Sequence, residues 1–283
     1  TPPLFPSVDD EIWGVNAEFN LDVGTATITV IPAYRSQELH NVYSVGVFQG
    51  ALQDETAEQF SIEARVAGSV GMFDYVSGLF YYDEDTTFRG SFNQYGLQNT
   101  PRSEASTESW AAFARVVANI TNQFRVVGGI RYTDDQKTID ASQLSLTAVC
   151  LTTPTPNCST IPSIPVRFTI EESIAAINPA LFVSGNTPLN VPFGVPVPYF
   201  VTPAQRAIMI RGNTVVQDET SFDRVTWRGA LEYDITPDNL VYASYESGFR
   251  SGGFNISFGR ETYGPEFLDA YTLGSKNVFF DGV

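Results

Sequence analysis

The sequence predicts an all-β chain, an antiparallel up-and-down meander of about nine long strands. Three observations point there. Apolar and polar residues alternate with period two over stretches of about 10–12 residues, against roughly 5–6 in an ordinary strand. The connections between these stretches alternate between short and long. Aromatic residues make up 13% of the chain and charged residues only 17%, below the roughly 25% of common soluble domains.

The elements follow in order. From Trp13 the odd positions Trp13, Val15, Ala17, Phe19, Leu21 and Val23 are apolar, while Asn16, Glu18, Asn20 and Asp22 alternate with them. No helix separates residues in that way. After Gly24-Thr25 a second strand places Ile28, Val30, Pro32 and Tyr34 on one face, with Thr27, Thr29, Ala33 and Arg35 on the other. Pro32 lacks an N–H for the ladder, so a bulge is expected there. Phe60, Ile62, Ala64 and Val66 alternate with Ser61, Glu63 and Arg65. Residues 73–82 are apolar in both parities, and their faces stay unassigned. Trp110, Ala112, Ala114, Val116 and Ala118 alternate with Ala111, Phe113, Arg115, Val117 and Asn119. Phe124, Val126, Gly128, Ile130 and Tyr132 alternate with Arg125, Val127, Gly129, Arg131 and Thr133. Val225, Trp227, Gly229, Leu231 and Tyr233 alternate with Thr226, Arg228, Ala230, Glu232 and Asp234. Weaker strands cover 240–249 and 268–280.

Short turns are expected near 24–25, 68–72, 121–123, 235–239 and 281–282. Long connections are expected at about 36–57, 83–107, 138–221 and 250–265. The longest of these holds 10 of the 17 prolines. Short turns on one side and long loops on the other place the two ends of the meander in different environments, as in outer-membrane barrels.

A soluble β-sandwich also alternates, so the apolar partner has to be argued. A strand tilted by about 45° needs roughly 9–11 residues to cross a bilayer, which suits these stretches. The apolar faces of the clear strands carry no charge. Their opposite faces carry Glu18, Arg35, Glu63, Arg65, Arg115, Arg125, Arg131, Arg228 and Glu232. Trp13, Trp110 and Trp227 lie at equivalent strand ends, Tyr34 and Tyr132 at others, as interfacial girdles require. Together these favour lipid over a second protein layer, and residues 1–283 are read as part of a transmembrane barrel.

Composition excludes other classes. With 32 acidic and 16 basic residues the formal net charge is −16, unsuited to a general nucleic-acid binder. His40 is the single histidine, which leaves no His-based metal site or triad. No catalytic constellation, metal site or cofactor site is read from the chain. The longest charge-free run, Ser173 to Gln205, carries six prolines and is no spanning helix. Thr1-Pro2-Pro3 and Phe280-Asp281-Gly282-Val283 both read as cut ends. Cys150 and Cys158 sit close together in a Pro/Thr-rich stretch. A disulfide there would close a short surface loop in an oxidising compartment; the alternative is two unrelated thiols.

Several segments carry a family resemblance. They are Phe60-Ser-Ile-Glu-Ala-Arg65, Trp110-Ala-Ala-Phe113, Gly129-Ile-Arg-Tyr-Thr-Asp-Asp135 with Lys137, and the run from Leu240 to Asn255. Pro265-Glu266, Tyr271-Thr-Leu-Gly-Ser-Lys276 and Phe279-Phe-Asp-Gly282 complete the set. In spacing and order, over about residues 10–283, they resemble the barrel of TonB-dependent outer-membrane receptors. Thr272 departs from the pattern, where the family usually has Glu. The resemblance implies a roughly 22-stranded barrel around an N-terminal plug, in the outer membrane of a Gram-negative bacterium. It implies energised import of a scarce, bulky solute (an iron–siderophore, a cobalamin or an oligosaccharide) driven by the TonB complex through the plug. At about 31 residues per strand, such a barrel needs roughly 690 residues. The plug and the C-terminal strands are therefore expected to lie outside this chain. A passive porin and a secreted β-sandwich binding module are the rival readings.

Arg35, Glu63, Arg65, Arg115, Arg125, Arg131 and Arg228 are the lumen-facing candidates for contact with plug or solute. Mutual pairing across strands is the plainer role for each. Asp83-Glu84-Asp85 and Asp134-Asp135 lack the spacing of a calcium loop and read as solvated strand ends. Among the loop aromatics Tyr43, Phe48, Phe92, Tyr95, Tyr199 and Phe200, ligand stacking competes with self-packing of the loops.

Overall fold

A computed structural model describes residues 5–43, 50–93, 96–151, 164–182, 185–202, 205–256 and 260–278. One antiparallel sheet dominates. Its first strands are β1 (Ser7–Asn16), β2 (Phe19–Val23), β3 (Ala26–Tyr43), β4 (Gly50–Val70), β5 (Phe73–Asn93), β6 (Gly96–Asn119) and β7 (Phe124–Cys150). A short helix, α1 (Ile170–Ala175), precedes β8 (Val197–Thr202), β9 (Gln205–Thr236) and β10 (Asn239–Arg250). A two-stranded hairpin, β11 (Gly253–Phe254) with β12 (Thr262–Tyr263), leads to β13 (Glu266–Asn277). The main path runs β1-β3-β4-β5-β6-β7-β9-β10-β13, nine staves in chain order, with β2 continuing the first and β8 beside β9.

Four of the five short turns fall where expected, and the fifth, at 281–282, lies outside the described residues. Gly24 and Gly71, at φ 63 and 58, supply the left-handed residues between β2 and β3 and between β4 and β5. Thr121 Oγ1 accepts from the amides of Gln123 and Phe124 in the turn before β7. The bulge expected at Pro32 is absent. Pro32 pairs in register with Ile62, and its carbonyl accepts from Ala17 N at 3.1 Å. Its missing donor therefore faces the first stave, whose ladder breaks between β1 and β2.

The strands outrun the expected ones. β7 continues to Cys150 and β9 starts at Gln205, so much of the predicted 138–221 loop is extended ladder. Likewise β3 reaches Tyr43 and β6 begins at Gly96. Beyond the level of Tyr34 and Trp110 the regular alternation of apolar and polar residues fades. Backbone pairing does not depend on side-chain polarity, so the ladder persists after the alternation has faded.

Register settles the faces of β5. Tyr81 pairs with Trp110 and Leu79 with Ala112, which puts Tyr75, Leu79 and Tyr81 on the apolar face. Val76, Phe80 and Tyr82 belong to the charged face. The apolar face is open: Leu79 is 63% and Leu231 52% exposed, with no second layer across it among the described residues. Near one level it carries an aromatic belt. Trp13–Tyr34 and Trp110–Tyr132 meet in tilted contacts, and Trp227–Tyr245 edge-on, diagonally across neighbouring staves at 5.3, 5.3 and 4.6 Å. On the charged face Val127 and Ala230 are buried.

Above the belt the sheet carries a small hydrophobic core of its own. Leu97, Leu146 and Met209 are fully buried against Ile170, Ile174, Phe182 and Tyr199 of the long connection. Asn93 Nδ2 donates to the Ile164 carbonyl at 2.7 Å, Asn99 donates to that of Phe168, and Arg89 lies over the Phe168 ring at 4.4 Å. Thr169 caps α1, its hydroxyl accepting from Glu172 N at 3.2 Å, which aims Ile170 and Ile174 at the sheet. By pleat parity these sheet residues share the face that is apolar lower down, so the long connection packs on that side.

Candidate functional site

The charged face holds the candidate site. Four of the seven expected residues, Glu63 among them, form ion pairs along or across staves. Arg65 Nη1 lies 3.1 Å from Glu63 Oε1. Arg125 bridges Glu232, at 3.0 Å, and Asp234. Arg228 Nε stands 3.7 Å from Glu246 Oε1. The other three have no carboxylate partner among the described residues. Arg35 reaches only Gln37, at 3.4 Å. Arg115 is exposed. Arg131 lies over Phe80 at 5.6 Å and Phe113 at 6.0 Å, and donates to Thr133 Oγ1 at 3.1 Å.

Register gathers some of these and separates others. Arg115 pairs with Gly129 and Gly129 with Arg228, while Arg131 stands diagonally above both. Gly129 leaves the space between the two arginines open. Register thus sets three arginines around a patch that holds one paired carboxylate, Glu246. Arg35, on β3, stands apart from it, and Arg125 belongs to the turn end.

A concave site lies higher on the same face, beyond the belt. It is a pocket of about 560 Å³ lined by Phe88, Phe92, Gln98, Thr100, Gln143, Phe254, Asn255, Ile256 and Arg260. Two irregularities build it. The register shifts between Phe88 and Gly90 and again between Asn99 and Arg102, which gives β6 one extra residue relative to both neighbours. That bulge switches parity and turns Gln98 and Thr100 onto the charged face. Gly90 lies directly under the Phe88 ring, where any Cβ would collide with it.

The opposite wall comes from the hairpin β11–β12. Gly252 is buried, and a Cβ there would strike the Tyr263 carbonyl and the Phe222 ring. Lys137 Nζ donates to the Gly252 carbonyl at 2.9 Å, which ties the hairpin to β7. Ala141 and Val216, between Lys137 and Gln143 in the ladder, are buried. Three phenyl rings, three side-chain amides and one arginine around a hollow of this size can hold a flat or ring-bearing ligand with an acceptor for Arg260.

Of the aromatics named from the sequence, Phe92 lines this pocket. Tyr199 does not: it is 2% exposed and packs on Phe182 at 5.3 Å within the loop core. Tyr43 ends β3. Phe48, Tyr95 and the side chain of Phe200 lie outside the described residues. Sequence reasoning missed Phe88, Gln98, Phe254 and Arg260. The signal that could have found Phe254 was the glycine pair Gly252-Gly253, which permits close approach of backbone to a wall. Cys150 is buried and disulfide-bonded; Cys158 lies outside the described residues. No group of His, Cys, Asp and Glu able to hold a metal occurs among the described residues.

At the outer edge of β3–β5 His40 sits between Asp54 Oδ1 and Glu38 Oε1, each at 3.1 Å, and Arg89 also bonds Asp54. The hydrogen bonds to Asp54 and then Glu38 raise the His40 pKa above its usual value. Partial burial pushes the Asp54 carboxyl up, but the bonds from Arg89 and His40 outweigh it and leave it below the usual range.

An open meander of long strands, apolar and belted on one face and charged on the other, is the wall of a membrane β-barrel. The chain belongs to the TonB-dependent receptor β-barrel family, whose model matches residues 3–283. Solved structures share the fold. The ferric yersiniabactin uptake receptor FyuA from Yersinia pestis aligns at TM-score 0.64 and 15% identity, over 96% of this chain and 34% of that one. The ferric-catecholate import receptor Fiu from E. coli aligns at 0.60 and 14%, over 98% and 39%. The siderophore receptor PiuA from Acinetobacter baumannii aligns at 0.57 and 15%, over 97% and 38%. The chain thus spans little more than a third of the length of these receptors. No curated protein sequence matches it.

Proposed function

We propose that this chain is the central part of the barrel of an outer-membrane receptor that imports a scarce, bulky solute, energised by TonB. The observation that carries the reading is the aromatic pocket on the charged face, beyond the belt and above the arginine patch. A solute arriving from outside meets the phenyl rings and Arg260 first and the cationic patch deeper in the wall. That order suits an anionic, ring-bearing metal chelate, so an iron–siderophore is the preferred solute over a cobalamin or an oligosaccharide. The similarity to siderophore receptors supports the same choice. Arg35, Glu63, Arg65, Arg115, Arg125, Arg131 and Arg228 are proposed to face the plug and the solute path. The protein acts by binding and translocation, without covalent chemistry.

The test is uptake. A strain lacking the full-length gene is grown under iron limitation and offered radiolabelled iron on catecholate, hydroxamate and mixed siderophores. Loss of uptake of one of them, restored by the gene and abolished by a protonophore, is the expected result. Undiminished uptake of every chelate, or uptake that survives the protonophore, would end this reading.

A further inference from the structure

We infer that the lipid-facing wall holds one acyl chain of an outer-membrane lipid in a fixed groove. The inference rests on the membrane reading above. The groove lies on the apolar face just below the aromatic belt and measures about 590 Å³, within the roughly 300–1,000 Å³ of ligand pockets. Its floor is made of short side chains from adjacent staves, Ala64 on β4, Ser77 on β5, and Ala112 and Ala114 on β6. Leu79 and Ile130 stand above this floor as rims, 63% and 55% exposed. Register explains the hollow. Leu79 lies between Ala64 and Ala112 in one row, and Ser77 between Val66 and Ala114 in the next.

Register sets a further gap diagonally beyond this lining. Gly128 pairs with Gly229 one row further down, and a Cβ added to either meets nothing within 4 Å. Two paired glycines therefore prolong a track of missing side chains across β6, β7 and β9. The track offers a ligand no unpaired polar group. Ser77 Oγ donates to the Phe113 carbonyl at 3.0 Å, and Arg65, at the lining, is paired with Glu63 on the opposite face.

The surroundings select the occupant. The track is continuous with the surface that faces lipid, and water there would have no hydrogen-bond partners. A second barrel brings side chains at fixed pleat spacing, and Leu79 would hold it off the floor. A flexible chain of methylenes follows a diagonal floor one side chain deep, so the groove fits a hydrocarbon chain.

The experiment uses the full-length receptor in mild detergent and in vesicles of phosphatidylethanolamine and phosphatidylglycerol. Native mass spectrometry reads retained lipid. A phospholipid spin-labelled midway along its chain reads the motionally restricted fraction. The expected result is one retained lipid on the wild type, lost in Ala114→Phe and in Gly229→Leu, and kept in Val126→Phe, which lies off the track. Equal lipid retention by wild type and both filled variants would overturn the proposal. So would a wild-type dimer that Ala114→Phe converts to a monomer, since a second copy would then fill the groove. Heat-modifiable migration of every variant separates these outcomes from failure of the membrane reading, which would appear as a soluble wild-type protein.

Discussion

The sheet below the aromatic belt and the sheet above it are the same strands, in one register but for the bulge of β6, yet different materials cover them. Below, the face of Val116, Ile130 and Leu231 is open, and hydrocarbon is its partner. Above, the same face carries Asn93, Asn99, Leu146 and Met209, and the long connection covers it with Ile170, Phe182 and Tyr199. On the opposite face the roles are divided again. Ion pairs and arginines occupy the lower wall, while the hairpin β11–β12 closes a pocket against the upper one. A long ladder can thus serve two solvents, because its hydrogen bonds are independent of which side chains point outward. What changes at the belt is the medium, and the side chains record it.

This contrast can be broken from either end. The largest effect is expected in the upper core. Leu146→Ala removes a fully buried side chain and should destabilise the long connection by about 2–5 kcal/mol. Limited proteolysis of intact cells should then cut within 164–199 while the barrel stays folded; loss of the barrel as well would show that the two regions are not separable. Next comes the lower face. Val116→Arg should cost about 2–4 kcal/mol near the bilayer midplane and block insertion. Val117→Arg, which pairs with Asp74 across the strand, should insert normally. Comparable insertion of both, read by heat-modifiable gel migration, would contradict the face assignment.

Smaller effects sharpen the contrast within the upper half. Lys137→Ala removes the donor that ties the hairpin to β7, a bond to a charged group worth about 1.5–3 kcal/mol. Trypsin cleavage after Arg260 should accelerate at least tenfold while Lys137→Arg stays near wild type, and an unchanged rate in Lys137→Ala would sink the latch. The smallest effect is electrostatic. The folded pKa of His40 is raised by its bonds to Asp54 and Glu38, so its stabilisation is complete below about 6.5 and fades as pH rises through the folded value. Asp54, shifted the other way, loses its contribution only as pH falls through its lowered value. Amide protection factors at 38–42 and 52–56, corrected for the intrinsic rise of exchange with pH, should therefore fall from pH 6 to pH 8, and His40→Gln should remove that fall.

Much of this was legible in the chain. The alternation around Val126 and Leu231, the turns at Gly24 and Gly71 and the belt at Trp13, Trp110 and Trp227 all follow from side-chain period and backbone stereochemistry. Those are local properties. That Arg35, Arg65, Arg115, Arg125, Arg131 and Arg228 share the charged face follows on the same ground, because a period-two strand assigns each residue a face. Which arginines meet was not legible: Arg115 and Arg228 come together only because Gly129 separates them in a register that no single strand contains.

The sequence by itself determined the meander, the two faces of its clear strands and the order of its staves, since each depends on neighbours within about ten residues. Tertiary structure alone decided the faces of β5, the reach of the ladders beyond the belt, the side on which each long connection lies, and the pocket of Phe88, Phe254 and Arg260. Those depend on pairing and packing between segments up to more than 150 residues apart and on a single extra residue in β6. A parity switch of that kind leaves no mark in periodicity that has already lapsed.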